Sequence, residues 1–237
     1  MAFRLKPKFE QILKNYQPSP EALSTVADLK LVLIIGATST GRNTIIRELL
    51  KSGDYYFIVS DTTRQPRIND GIIEKDGDPY WFRSEEEVLA DLQAGQFLEA
   101  EIVHRAQVSG INIRELQKAK AENKVAITDI EVGGAHNILK IKPDTILILL
   151  LPPSFSEWQR RIRDRGHMPP EVYAERMQSA AAMFKTGFDE KCQYVVADNI
   201  EHGAKVIDQI AHGKPNPDQA RGAKILRDLN QEIKTVL

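Results

Sequence analysis

The most constraining stretch of the sequence runs from Leu31 to Leu50. Its first five residues, Leu31 to Ile35, are all apolar and predict a short buried strand. A loop of small residues bounded by Gly36 and Gly41 follows, and from Thr44 onward apolar residues recur at helical spacing. A strand, a glycine-bounded loop and a helix are typical of a phosphate-binding loop, because glycine lets several backbone N–H groups point at one anion.

This loop departs from the usual G-x-x-x-x-G-K-[ST] pattern at its end. Arg42 stands where lysine is expected, and Asn43 stands where a magnesium-binding hydroxyl is expected. Thr44 offers a hydroxyl one position late. On this stretch alone, an ordinary strand-to-helix turn is about as well supported as a phosphate site.

Composition narrows the class of protein. The chain has 237 residues, 42% of them hydrophobic, and a net charge of −1, which argues against a broad nucleic-acid-binding surface. The single cysteine, Cys192, excludes an internal disulfide, and the five histidines show no metal-ligand spacing. The longest apolar run, Ile146 to Leu151, is far shorter than the roughly 20 residues that cross a bilayer. We therefore expect a cytoplasmic protein with no nucleic-acid partner, no membrane span and no metal held by its side chains alone.

Strands and helices alternate along the chain. After the first strand, further strands are predicted at Tyr55–Ser60, Val125–Ile130, Ile141–Leu151 and Tyr194–Ala197. Helices are predicted at Asn112–Glu122, Gly203–Ala211 and Ala223–Leu237, and a polar turn at Asn69–Asp78. This alternation favours an α/β fold with a parallel sheet covered by helices on both sides.

Both ends of the chain extend beyond this pattern. Residues 1–29 predict two short helices, and residues 213–237 predict a linker and an amphipathic helix. Each extension could pack on its own domain or bind a protein partner.

Two arginine-rich segments are candidate anion sites. Arg64 and Arg67 follow Ser60 in a segment of hydroxyl residues, and guanidinium groups bind phosphate in a bidentate manner. A second segment carries four arginines between Trp158 and Gly166. Each segment could instead be a solvated charged surface.

Together these segments occur in a familiar order, and the chain resembles the guanylate kinase family over about residues 30–212. The phosphate loop at Gly36–Thr44 and the S-x-T-T-R-x-P-R signature at residues 60–67 carry the resemblance most strongly. The remaining matches are Tyr80-Trp81-Phe82, Phe97-Leu98-Glu99, Asp129-Ile130-Glu131, Pro152-Pro153-Ser154 and the lid pattern of Arg161, Arg165, Gly166, Arg176 and Met177.

The resemblance implies a P-loop parallel sheet flanked by helices, with an inserted nucleoside-monophosphate-binding arm at about 61–124 and an arginine-bearing lid at about 155–190. It also implies transfer of a phosphoryl group from ATP, with Mg²⁺, to GMP. The GMP phosphate would be held by Ser60, Arg64, Arg67 and Tyr80. Guanine would be bound by Glu99 with support from Asp129. The ATP phosphates would lie on Gly36, Ser39, Thr40, Gly41, Arg42, Asn43 and Thr44, and Arg42, Arg161, Arg165 and Arg176 would surround the transferring group.

Several residues differ from the family pattern. Besides Arg42 and Asn43, Ser39 replaces a glycine, which matters if that position has positive φ. The family's Y-G-[ST] corresponds to Val108-Ser109-Gly110, and the arm after Arg67 is about four residues longer than usual. Two alternatives to GMP phosphorylation therefore stay open. One is a catalytically impaired module that binds a nucleotide or an acidic or phosphorylated partner, and the other is a kinase of a different phosphate ester, such as a sugar phosphate.

Overall fold

The computed structural model describes residues 3–69, 72–103, 105–166, 168–186 and 192–237. The chain forms two compact units. The first comprises Met1–Lys30, Tyr56–Ala126 and Gly133–Asp144, and the second comprises Leu31–Tyr55, Ile127–Val132 and Thr145–Leu237.

A five-stranded sheet contains the strands that lie wholly in the second unit. Its strands are β1 (Leu31–Ile35), β2 (Tyr55–Phe57), β10 (Val125–Asp129), β11 (Ile146–Leu151) and β12 (Cys192–Val196), in the order β12-β11-β1-β10-β2. β1 pairs in parallel with β11, and β11 pairs in parallel with β12. All five residues of β1 are buried, as expected for a strand whose two faces are both covered.

Helices pack against this sheet, so the predicted α/β class with a parallel sheet flanked by helices is confirmed. The helices of the second unit are α3 (Arg42–Leu50), α7 (Phe155–Asp164), α8 (Pro170–Thr186), α9 (Ile200–Ala211) and α10 (Gln219–Glu232). Within the described residues, no helix combines the length and the apolar character that crossing a membrane requires.

The C-terminal extension docks on its own unit. α10 packs on β12, α7 and α8, and a Cβ atom at Gly222 would lie only 2.4 Å from the Cβ atom of Tyr194. Asp218, just before α10, accepts a hydrogen bond from the Val196 N–H at 2.9 Å. The apolar side of this amphipathic helix is therefore covered by the chain itself.

The first unit contains a second five-stranded sheet. Its strands are β3 (Asp61–Thr62), β6 (Lys75–Asp76), β7 (Pro79–Phe82), β8 (Phe97–Val103) and β9 (Gln107–Asn112), in the order β6-β7-β3-β9-β8. A separate antiparallel pair is formed by β4 (Ile68–Asn69) and β5 (Ile72–Ile73). The helices are α1 (Lys6–Leu13), α2 (Pro20–Ala27), α4 (Glu85–Gln93), α5 (Ile113–Ala121) and α6 (Val132–Ile141).

The two N-terminal helices were predicted, and they pack on the first unit. Phe9 of α1 is fully buried in an apolar cluster with residues of α4, β8 and β9. The phenol of Tyr16 donates a hydrogen bond to the Phe97 carbonyl at 2.7 Å and accepts one from the Phe97 N–H at 2.9 Å. The N-terminal extension thus satisfies backbone groups at the start of β8.

Several predicted element boundaries were wrong. The strand predicted at Tyr55–Ser60 ends at Phe57, and the one predicted at Ile141–Leu151 begins at Ile146. Residues 132–141 instead form α6, a helix that the sequence analysis missed, and Pro143 follows its end. The segment predicted as one turn at Asn69–Asp78 contributes to the β4–β5 pair and to β6.

Candidate active site

The predicted phosphate loop lies between β1 and α3 and has the compact backbone expected of it. A Cβ atom at Gly36 would lie 2.9 Å from Thr40 Oγ1 and 3.0 Å from the Leu150 carbonyl oxygen, so only glycine fits there. The hydroxyl of Thr40 donates a hydrogen bond to the Ala37 carbonyl at 2.9 Å, which closes the loop on itself. Gly41 has φ 103° and forms the N-cap of α3, so the first turn of that helix faces the loop.

Ser39 occupies a backbone position that favours glycine. Its φ is 64°, in the left-handed region, and its buried Oγ has no hydrogen-bond partner among the described residues. The departure from the family pattern at this residue therefore carries a conformational cost. In a phosphate loop, the same hydroxyl is also placed to donate to an anion.

We expect Ser39→Gly to raise the free energy of unfolding of the nucleotide-free protein by about 1 kcal/mol. The change relieves a left-handed residue and an unpaired hydroxyl, partly offset by the greater entropy of glycine in the unfolded chain. Thermal and urea unfolding would measure the effect. Gly41→Ser is the matched control, because it creates a serine at positive φ with open space around it and should destabilise. Equal or lower stability of Ser39→Gly would contradict the prediction.

The predicted lid arginines lie around this loop in the second unit. Arg161 donates hydrogen bonds to the Ala197 carbonyl at 2.8 Å and to Glu157 Oε1 at 2.9 Å, and it reaches the Thr40 carbonyl at 3.5 Å. Arg176 donates to Thr38 Oγ1 at 3.1 Å. Two of the three predicted lid arginines therefore donate hydrogen bonds to the loop.

A cavity of about 250 Å³ adjoins the loop, and Arg165 lines it. The other lining residues are Ser39, Thr40, Gly41, Thr44, Ile45, Arg161, Ala197, Asn199 and Ile200. The cavity is therefore lined by the backbone of the loop, by the first turns of α3 and α9, and by two arginines. Such a space can hold an anion with an attached apolar or aromatic group.

The sequence analysis missed two supports of this cavity. Asn199 lines it and caps α9 by accepting a hydrogen bond from the His202 N–H at 2.8 Å. Trp158 is fully buried and donates its indole N–H to the Thr38 carbonyl at 2.8 Å. The signal for Asn199 was an asparagine three residues after the end of the last strand, and the signal for Trp158 was a tryptophan beside a run of arginines.

Arg42 and Asp129 form an ion pair in the second unit. The guanidinium Nη1 lies 3.4 Å from Asp129 Oδ2, and both side chains are partly exposed. The sequence analysis assigned Asp129 to the guanine side, and that role stays a prediction. What the structure shows is that Asp129, at the end of β10, holds the cation at the end of the phosphate loop.

In the first unit, Arg64 is held rigidly. It forms a bidentate pair with Glu74, with Nη1–Oε2 at 2.7 Å and Nη2–Oε1 at 3.2 Å, and each side chain is only 10% exposed. Its guanidinium carbon lies 5.2 Å from the ring centre of Tyr80 and 5.4 Å from that of Phe82. Arg64 and Tyr80, which the sequence analysis assigned to one phosphate site, are therefore in contact.

Glu74 is the second organising residue of this segment, and the sequence analysis missed it. It accepts a hydrogen bond from the Arg67 N–H at 2.8 Å while its own N–H donates to the Arg67 carbonyl at 2.9 Å. The Arg67 side chain is exposed, and Ser60 is half-buried. Glu74 is one of four acidic residues in the segment predicted as a polar turn, so the sequence alone did not single it out.

Glu99 is buried in β8 at 6% exposure. Burial, and then the charge of Glu101, raise the pKa of its carboxyl to about 8, although a hydrogen bond from the Ile111 backbone lowers it. Burial therefore favours the neutral form of this side chain in the nucleotide-free protein. It also lines a cavity of about 420 Å³ with Tyr16, Asn137 and Lys140.

Glu99→Gln is expected to remove a pH-dependent loss of stability. Between the ordinary carboxyl pKa of 4.5 and about 8, the native chain keeps a proton that the unfolded chain has released. The free energy of unfolding should therefore fall as the pH rises through this range, and glutamine should flatten the fall. Urea unfolding at several pH values would measure it, with the exposed Glu201→Gln as the control. An unchanged pH slope in Glu99→Gln would contradict the prediction.

Comparison with known proteins agrees with this geometry. A family model described as "Guanylate kinase" matches residues 28–212. The guanylate kinase of Corynebacterium diphtheriae is 30% identical over 187 residues, which cover 78% of this chain and 95% of that protein. The guanylate kinase of Nocardia farcinica is 35% identical over 173 residues, which cover 72% and 87%.

The chain belongs to the guanylate kinase family. The crystal structure of guanylate kinase from Anaplasma phagocytophilum shares the fold, with a TM-score of 0.57 and 25% identity over 79% of this chain and 86% of that one. The resemblance inferred from the sequence is thus confirmed. Arg42 and Asn43 lie inside the matched region, so they are substitutions within a guanylate kinase loop and not signs of a different fold.

Proposed function

We propose that this protein transfers the terminal phosphoryl group of ATP to GMP. The observation that carries the proposal is the arginine-lined cavity beside the phosphate loop in a chain of the guanylate kinase family.

On the donor side, the loop backbone and the arginines hold the ATP phosphates. Gly36 and Gly41 let the loop curl, and the N–H groups of residues 39–44 face the phosphates together with the positive end of α3. Arg42, Arg161, Arg165 and Arg176 supply positive charge around the transferring group. The cavity beside Asn199 and Ile200 receives the nucleoside of ATP.

The residues present also fit a magnesium ion carried by the nucleotide. Asn43 and Thr44 expose side-chain oxygen atoms on the first turn of α3, and Mg²⁺ takes oxygen ligands from one or two protein groups, water and phosphate. Among the described residues, no group of three His, Cys, Asp or Glu side chains could hold a metal. When bound, Mg²⁺ would offset the charge of the phosphates.

On the acceptor side, Arg64, Arg67, Tyr80 and Ser60 hold the phosphate of GMP. The Arg64 guanidinium is already fixed by Glu74 and two aromatic rings, so little side-chain entropy is lost when it binds an anion. Glu99 of β8 accepts hydrogen bonds from N1–H and the 2-amino group of guanine. Phosphoryl transfer asks mainly for positioning and positive charge, and these residues supply both.

The test is a coupled assay of ADP release with ATP, Mg²⁺ and GMP, with GDP identified as the second product. The unaltered protein is expected to release ADP in a GMP-dependent manner. Arg42→Lys/Asn43→Ser is run beside it, because it restores the usual loop ending. If the unaltered protein releases no ADP in the presence of GMP, the proposal is overturned. If the double variant then releases ADP, the loss of activity is caused by Arg42 and Asn43.

A further inference from the structure

The outer edge of β12 is covered by side chains from the beginning of the C-terminal extension. In the part of the chain that the structure describes, β12 is the end strand of its sheet, so one edge of its backbone has no neighbouring strand. The Tyr194 N–H donates a hydrogen bond to Gln219 Oε1 at 3.0 Å, and Asn216 Nδ2 donates to the Tyr194 carbonyl at 3.0 Å. Gln219 Nε2 donates to the Cys192 carbonyl at 3.2 Å. Asn216 and Gln219 thus take the place of a next strand.

Asp218 continues this contact beyond the strand. Its side chain is buried, and its Oδ2 accepts a hydrogen bond from the N–H of Val196, the last residue of β12. The same oxygen lies 3.0 Å from Nε2 of His202, in the first turn of α9. Asn199, the N-cap of α9, accepts a hydrogen bond from the His202 N–H. One carboxylate of the C-terminal extension therefore holds both the end of β12 and the start of α9.

Arg221 of α10 fixes the segment between these two elements. We call this segment, Ala197, Asp198 and Asn199, the donor segment. Nη2 of Arg221 lies 2.6 Å from Asp198 Oδ1, and Nη1 donates to the second carboxylate oxygen. A bidentate pair of this kind sets the orientation of the carboxylate as well as its position. Arg161, a predicted lid arginine, donates to the Ala197 carbonyl at 2.8 Å. The donor segment is thus held by the lid and by α10.

The donor segment forms part of the wall of the cavity beside the phosphate loop. Ala197 and Asn199 line this cavity together with Ile200, whose side chain is exposed. The proposed function assigns this part of the cavity to the nucleoside of ATP. Asp198 lies between two of the lining residues, and its carboxylate is the group that Arg221 holds. A displacement of Asp198 would therefore also displace the backbone of the cavity wall.

We propose that α10 is a positioning element of the donor site, and that Arg221 acts through Asp198 to hold the donor segment against the nucleoside of ATP. This inference rests on the proposed function and adds a positioning residue to it. Arg221 lies outside residues 28–212, which the guanylate kinase model matches. The contact is therefore supplied by the C-terminal extension of this chain.

The test measures equilibrium binding of AMP-PNP, a non-hydrolysable ATP analogue, with Mg²⁺ and separately of GMP, by calorimetry on the full chain. Arg221→Met is expected to weaken AMP-PNP binding about three- to tenfold, because a displaced donor segment loses contacts with the nucleoside. GMP binding should stay within about twofold, since the residues assigned to GMP, apart from Asp129, belong to the first unit. Arg221→Lys keeps the charge without the fork and should recover part of the affinity.

A double-mutant cycle shows whether Arg221 acts through Asp198. Asp198→Asn and Arg221→Met should each weaken AMP-PNP binding, and the double variant should bind no more weakly than the weaker of the two. Arg227→Met, at another exposed arginine of α10, should leave AMP-PNP binding within about twofold. An effect on stability alone would lower the fraction of protein that binds either ligand and would leave both dissociation constants unchanged.

Three outcomes would overturn the inference. One is an unchanged affinity for AMP-PNP in folded Arg221→Met protein. Another is a loss of GMP affinity as large as the loss of AMP-PNP affinity, and the third is additive losses in the double-mutant cycle. If the unaltered protein binds AMP-PNP but does not phosphorylate GMP, only the proposed function fails, because the role of Arg221 is measured by binding. If the unaltered protein does not bind AMP-PNP, both fail.

Discussion

Arg64→Met is expected to lower kcat/KM for GMP by about a thousandfold or more. The change removes the positive charge and the N–H donors that we assign to the acceptor phosphate, and hydrogen bonds from a charged donor to an anion are stronger than neutral ones. It also removes the cation packed against Tyr80 and Phe82, at 5.2 and 5.4 Å from their ring centres. Steady-state kinetics with GMP varied at saturating ATP would measure the loss.

The effect of Arg64→Met on activity must be separated from its effect on stability. Methionine leaves Glu74 as a buried carboxylate without its bidentate partner, which is destabilising in itself. Arg64→Met/Glu74→Met removes both members of the pair and should recover stability but not activity. Arg227→Met, at an exposed arginine of α10, controls for the loss of one positive charge. Less than a tenfold loss in a folded Arg64→Met protein would contradict the assignment.

Arg64→Lys separates the contribution of the positive charge from that of the planar guanidinium group. Lysine keeps the charge but has neither the fork nor the planar group that packs between rings and carboxylate. We expect activity between that of the methionine variant and that of the unaltered protein, mainly through a higher KM for GMP. A lysine variant as active as the unaltered protein would show that charge alone is needed at this position.

The sequence predicted β1, the glycine-bounded loop and α3 well because their signals are local. Five consecutive apolar residues and two glycines define β1 and the loop, and neither depends on distant parts of the chain. It was also right to question Ser39, since the residue does lie at positive φ. Local patterns failed for α6, because Gly133 and Gly134 have low helix propensity. That helix is stabilised by burial of Gly134, Ala135 and Ile138, which only the tertiary structure supplies.

Pairs of charged residues could not be predicted from the sequence. Glu74 lies ten residues after Arg64, and only the path of the chain between them brings the two together. Asp129 was expected to support guanine binding, because the resemblance to the guanylate kinase family implies that role. Which ligand group it serves depends on strand order, and β10 lies beside β1. The structure therefore gives Asp129 a cationic partner, Arg42, that sequence spacing does not reveal.

Arg42→Met is expected to lower kcat by roughly 100- to 1,000-fold with little change in the KM for GMP. Arg42 begins α3 directly after the loop, where its charge can stabilise the phosphoryl group in the transition state. The residues assigned to GMP lie in the first unit, apart from Asp129, so acceptor binding should be largely spared. Single-turnover and steady-state kinetics together would locate the loss in the chemical step.

Two variants decide what Arg42 contributes. Arg47→Met changes an exposed arginine of the same helix and should keep kcat within about twofold. Asp129→Asn removes the carboxylate 3.4 Å from Arg42 while leaving the guanidinium in place. If the ion pair only positions Arg42, Asp129→Asn should cost far less than Arg42→Met. If Asp129→Asn matches the full loss, the pair acts as a unit. If Arg42→Met keeps more than a tenth of the activity, the charge at the loop is not needed and the remaining arginines carry the catalysis.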